Sequence, residues 1–151
     1  MRTSVLVLGV CIMLASCGSE PGDEPTLDEL RGEWRMTWME SGTGIQCEWT
    51  DVTLSLRDST KGPAGFWGDG DGSCEGLIES ENLSLVRFTL DSLTVADGRI
   101  TFVPLASTYR FEGRASRDEM EGTVSANVFF VDAGMQVPTS GRWRAIREVT
   151  P

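Results

Sequence analysis

Proton transfer, nucleophilic attack and metal binding each need particular side chains, and this chain of 151 residues offers few of them: 23 Asp plus Glu, four Cys and no His. His is the side chain best suited to moving protons near neutral pH and the commonest transition-metal ligand. Its absence excludes Ser-His-Asp triads, Cys-His pairs and His-built zinc sites. Carboxylate pairs of the kind that hydrolyse glycosides are easy to nominate in so acidic a chain, but position and surroundings single out none. Glu112, Glu119 and Glu121 fall on or near turns, where charge serves solubility. Asp69-Gly-Asp71-Gly-Ser73 offers hard oxygen ligands at alternate positions, as the start of a calcium loop does. The rest of such a loop is missing, because Cys74 stands where the sharp-turn Gly belongs and Ser80 where the bidentate Glu belongs. The run reads as a solvated, Gly-rich turn. No catalytic residue, metal site or cofactor is expected, and the chain reads as non-enzymatic.

The charge balance narrows the partners. With 13 Lys plus Arg the formal net charge is -10, so the basic surface that neutralises phosphates is lacking and no nucleic-acid partner is expected. The length allows one domain of ordinary size.

The first sixteen residues stand apart. Arg2 supplies a positive start, Val5 to Leu14 is apolar and uncharged, and Ala15 and Ser16 are small; this is the pattern of a secretory signal peptide, too short to span a bilayer. Leu14-Ala15-Ser16-Cys17 resembles the lipobox of bacterial lipoproteins. That resemblance implies cleavage before Cys17 and acylation of its sulfur, so that Cys17 anchors the protein to a membrane through lipid. Residues 18–26 are acidic and rich in Gly and Pro, with no large apolar side chain, and read as a flexible tether. Gly18 stands where an Asp would favour the inner membrane, so the resemblance implies a bacterial envelope protein on the outer membrane, facing the periplasm. The expected layout is a signal peptide over 1–16, a lipidated Cys and tether over 17–26, and a folded domain over 27–151.

With Cys11 removed and Cys17 acylated, Cys47 and Cys74 remain. An even pair in an exported, oxidising setting is expected to form a disulfide, and no CxxC motif competes with it.

The elements that would carry these residues are strands. From about residue 30 apolar side chains recur at every second position: Trp34, Met36 and Trp38 alternate with polar neighbours, as do Val52, Leu54 and Leu56. Leu93-Thr-Val95 and Ile100-Thr-Phe102 flank Asp97-Gly98, a pair suited to the positive φ angles of a tight hairpin turn. Tyr109 with Phe111, then Met120 with Val124, continue the pattern, and Gly141 to Arg147 presents Trp143 and Ala145 on one face as a closing strand. Val128 to Val131, with Phe129 and Phe130, reads as a buried strand, the other reading being an exposed apolar site near Met135. Only Leu27 to Leu30 suggests a helical turn, with Thr26 as its cap. The fold class is therefore all-β, an antiparallel up-and-down barrel of about eight strands, with a β-sandwich as the alternative.

Gly32-Glu33-Trp34 at the opening strand and Arg147 at the closing one resemble the calycin and lipocalin-like barrels. In those folds a G-x-W motif opens the first strand and an Arg from the last packs across the indole. The resemblance implies that Gly32, Trp34 and Arg147 close one end of a barrel, so that any ligand enters from the other. Small bacterial lipoproteins with such barrels are similar over most of residues 30–148. The implied function is binding of a small apolar ligand, with no ligand-binding residue assigned. The alternative is a solidly packed module that contacts another envelope protein.

Overall fold

A computed structural model describes residues 24–59, 62–76, 81–84, 87–130 and 134–149. Cys11, Cys17, the lipobox and most of the tether lie outside the described residues. The described residues form an all-β structure of ten strand segments: β1 (Gly32–Gly42), β2 (Ile45–Ser59), β3 (Gly62–Gly68), β4 (Asp71–Gly76), β5 (Glu81–Ser84), β6 (Phe88–Ala96), β7 (Arg99–Pro104), β8 (Arg110–Ala115), β9 (Glu119–Phe130) and β10 (Met135–Arg147). All pairings are antiparallel, and β1 bonds both β2 and β10, which closes the sheet.

The ten segments reduce to eight staves. Gly68 opposes Thr53 and Asp71 opposes Thr50, so β4 continues β3 along the same edge of β2 past an interruption at Asp69-Gly70. In the same way β5 pairs with β4 and β6 with β3, so these two form one broken stave. The result is a closed up-and-down barrel of eight strands, the architecture expected from the alternating pattern, with β4 and β5 extending beyond the ring. The sandwich alternative is excluded by the β1–β10 ladder from Trp34↔Arg147 to Gly42↔Thr139.

Inward positions supply the core. Trp34, Met36 and Trp38 from β1, Leu54 and Leu56 from β2, Phe102 from β7, Phe111 from β8, Met120 from β9 and Trp143 from β10 are each no more than 3% exposed. All five Trp of the chain are buried. Aromatic rings stack through the interior: Phe102 on Phe111 at 4.7 Å, with Trp143 edge-on to Phe102 at 5.5 Å. Such pairs contribute about 0.5–1.5 kcal/mol each beyond the area they bury.

Strict alternation fails where the register slips, between Leu90 and Ser92 against β7 and again in β2. Val52 and Trp49 differ by an odd number of positions, yet both point inward. The register slips between Met36 and Trp38, and Asp51 takes a positive φ of 56° as the extra residue of a bulge. An ion pair from Arg35 to Asp51 at 3.0 Å covers it on the outside.

Two expectations are corrected. Asp71-Gly-Ser73 is not a turn but part of β4. Gly72 lies directly against the Trp49 ring, where an added Cβ would come within 2.2 Å of it, so the glycine serves packing. Phe129 lies in a strand, β9, but faces outward and is 56% exposed, because the inward phase falls on Ala126 and Val128. Elsewhere Asp97 and Gly98 turn with φ of 51° and 65°, the hairpin conformation their residue types favour. Leu27 to Leu30 makes one turn, in which Leu30 donates to the Thr26 carbonyl and Glu29 reaches back to the Thr26 amide at 2.8 Å.

Cys47 and Cys74 oppose each other across β2 and β4 and form a disulfide, with Cα atoms 4.1 Å apart. Closing a loop with a sequence separation of 27 stabilises the fold by about 3–4 kcal/mol in the chain-entropy picture.

Candidate functional site

The ladders place both chain ends of the barrel together. Trp34 pairs with Arg147, Ile146 with Glu119, Ala115 with Met120 and Arg99 with Arg114. One end is therefore formed by the start of β1, the end of β10, the Asp97-Gly98 turn and the Ser116–Asp118 turn. Arg147 lies with its guanidinium carbon 4.4 Å from the Trp34 ring centre, a cation–π contact. Its nitrogens donate to the carbonyls of Arg117, Arg31 and Glu29, tying the N-terminal turn and a hairpin to the indole. The Trp34 indole N–H donates to the Leu30 carbonyl at 3.0 Å, and Leu30 is fully buried beneath it. Gly32, at a φ of 130°, leaves room for the Arg147 guanidinium, which would meet an added Cβ at 3.4 Å. The structure brings Gly32, Trp34 and Arg147 together at this end, where Trp34 and Leu30 are fully buried.

The other end is formed by the Thr43-Gly44 turn, the 105–109 connection and the start of β10. Here the inward phase of β1 carries Glu40 after Trp38, and the residue is 1% exposed. Oε1 accepts from the Trp49 indole N–H at 3.0 Å, the Trp38 indole N–H at 3.3 Å and the Tyr109 hydroxyl at 2.6 Å, while Oε2 accepts from the Thr139 hydroxyl. All four donors are neutral. Among the described residues no Lys or Arg pairs with it. A buried carboxylate held this way is costly, since neutral dipoles only partly replace water.

Aromatic rings wall this carboxylate. Trp38 stacks on Trp49 at 5.3 Å and on Trp67 at 5.6 Å, with Tyr109 edge-on at 5.7 Å and Phe111 at 5.4 Å. Trp67 is 1% exposed, and its indole N–H has no acceptor among the described residues. Buried donors of that kind are rare and point to a missing partner. No motif in the sequence marks Glu40, Trp67 or Tyr109 as part of a site. The available signal was the phase: Glu40 takes the next inward position after Trp34, Met36 and Trp38, where an acidic residue is out of place.

Burial raises the Tyr109 hydroxyl above its ordinary value of 10.0, and the negative charge of Glu40 adds to the shift. A raised value means the folded state holds the proton more tightly. The associated stability is full below the unfolded value near 10 and is lost as pH rises beyond it. Tyr109 is the single Tyr in the chain, so ultraviolet titration reads it alone. The expected result is no tyrosinate absorbance through pH of about 10, with ionisation appearing only as the barrel unfolds. Titration at the ordinary value in the folded protein would contradict the buried Glu40–Tyr109 contact.

The outer face of β7 to β10 carries a groove lined by Arg99, Glu112, Arg114, Glu121, Thr123 and Arg142, in which both signs of charge mix. Glu112 and Glu119 are ion-paired with Arg110 and Arg144, as suits solvated surface acids. Among the described residues no group of His, Cys, Asp or Glu could hold a metal, and no helix is long and apolar enough to cross a membrane. The chain matches no protein-family model, no curated protein and no solved structure.

Proposed function

We propose that this is a lipid-anchored bacterial envelope protein whose lipocalin-like barrel binds a small molecule with an apolar body, without catalysing a reaction. The observation that carries the binding reading is the contrast between the two ends. One is sealed by Trp34 and Arg147, and the other holds a buried polar centre among aromatic rings, the composition of small-ligand sites.

The anchor reading rests on the lipobox resemblance at Cys17. It is supported by where the domain begins: the Glu24 side chain lies 3.3 Å from the position of an added Cβ on Gly98, at the sealed end. A tether leaving there sets the aromatic end away from the membrane, toward the periplasm if the anchor is in the outer membrane. Replacing Cys17 by Ser is expected to abolish incorporation of labelled fatty acid and leave the precursor unprocessed. Continued labelling of the Cys17→Ser protein would place the anchor elsewhere.

Titration with hexanol, followed through the five indole N–H resonances, tests the binding. Saturable shifts of Trp38, Trp49 and Trp67 with Trp34 unmoved are expected. No shift at any concentration of hexanol or of hexylamine would turn the reading to the alternative, a packed interaction module. That alternative has its own support in the exposed apolar side chains of Leu105, Phe129 and Met135, which are 49%, 56% and 41% exposed near the aromatic end.

A further inference from the structure

We propose that the ligand is a protonated amine that also carries an oxygen acceptor, of the amino-alcohol class, with its ammonium on Glu40 and its oxygen on the Trp67 indole N–H. This rests on the small-molecule reading above and narrows it. Glu40 takes up its donors unevenly: three fall on Oε1 and one, from Thr139, on Oε2. A carboxylate oxygen offers two lone pairs, so Oε1 is over-subscribed while Oε2 keeps one free direction. The group that completes Oε2 must donate.

Charge decides which donor. The carboxylate is buried, its partners are neutral, and the Trp38 and Trp49 rings present their N–H edges to it. An anion would be repelled there, and a neutral donor would leave the charge uncompensated. A cation gains a charge-assisted hydrogen bond and the attraction of nearby ring faces. Trp67 supplies the second requirement independently. Its N–H, on a side chain stacked directly on Trp38, has no acceptor among the described residues, and an ammonium cannot accept. A ligand carrying both groups offers each side chain the partner it lacks, and an apolar tail suits the surrounding rings.

Three probes of similar length separate the elements: norleucinol carries amine, hydroxyl and tail, hexylamine lacks the hydroxyl, and hexanol lacks the amine. Calorimetry on the intact mature domain near pH 7 is expected to rank them in that order, with hexylamine about tenfold tighter than hexanol. Glu40→Gln should bring norleucinol to the hexanol level and hexylamine to that level or below it, while hexanol itself is unchanged. Trp67→Phe should bring norleucinol to the hexylamine level, and it keeps the assignment testable should Glu40→Gln not fold. Hexanol binding as tightly as hexylamine to the parent protein would overturn the cation assignment while leaving an apolar site intact. Norleucinol no tighter than hexylamine would overturn the role of Trp67. Binding of none of the three would overturn the small-molecule reading itself, and the amine with it.

Discussion

Trp34→Ala is expected to lower the unfolding free energy by about 3–5 kcal/mol. The indole is fully buried beneath Arg147, so truncation removes a large apolar body that its neighbours cannot replace by collapse. Two further losses follow. The Leu30 carbonyl loses its donor at 3.0 Å, and Arg147 loses the ring it packs on at 4.4 Å. The arginine keeps its bonds to the carbonyls of Glu29, Arg31 and Arg117, so the N-terminal turn should stay attached, though more loosely. Denaturant titration measures the change, and hexanol binding at the far end should persist in whatever fraction stays folded. An unchanged midpoint would show that the indole does not hold this end of the barrel.

The barrel was legible because its pattern is local. Trp34, Met36 and Trp38, or Leu54 and Leu56, announce a half-buried strand from neighbouring residues alone. So does the Asp97-Gly98 hairpin, whose turn conformation follows from two residue types. What stayed hidden depends on contacts between distant segments. The bulge at Asp51 brings Trp49 onto the same face as Val52, and no spacing rule within β2 foretells it. Gly72 read as a turn residue because a glycine placed to admit an indole looks, in one dimension, like any other glycine. Phe129 read as core because an apolar run does not reveal its phase near the rim, where inward positions give out. The centre on Glu40 is the extreme case. Its partners come from β1, β2, β10 and the 105–109 connection, and the Tyr109 contact spans 69 positions of sequence.

Glu40→Leu sets the structural value of that centre against its cost. The substitution removes a buried charge, which by itself is favourable by several kcal/mol. It also leaves the Trp38 and Trp49 indole N–H groups and the Tyr109 and Thr139 hydroxyls without their acceptor, at about 1–3 kcal/mol for each that stays buried. Tyr109 is less completely buried than the other donors, so the largest losses fall on the two indoles and Thr139. The balance is an expected destabilisation of about 2–4 kcal/mol. Adding Tyr109→Phe and Thr139→Val removes two of the stranded donors and should restore part of the loss, a coupling that independent sites would not show. Equilibrium unfolding of the single and triple variants measures both. Were Glu40→Leu more stable than the parent, the carboxylate would be a burden on the fold, held in the barrel for what it binds.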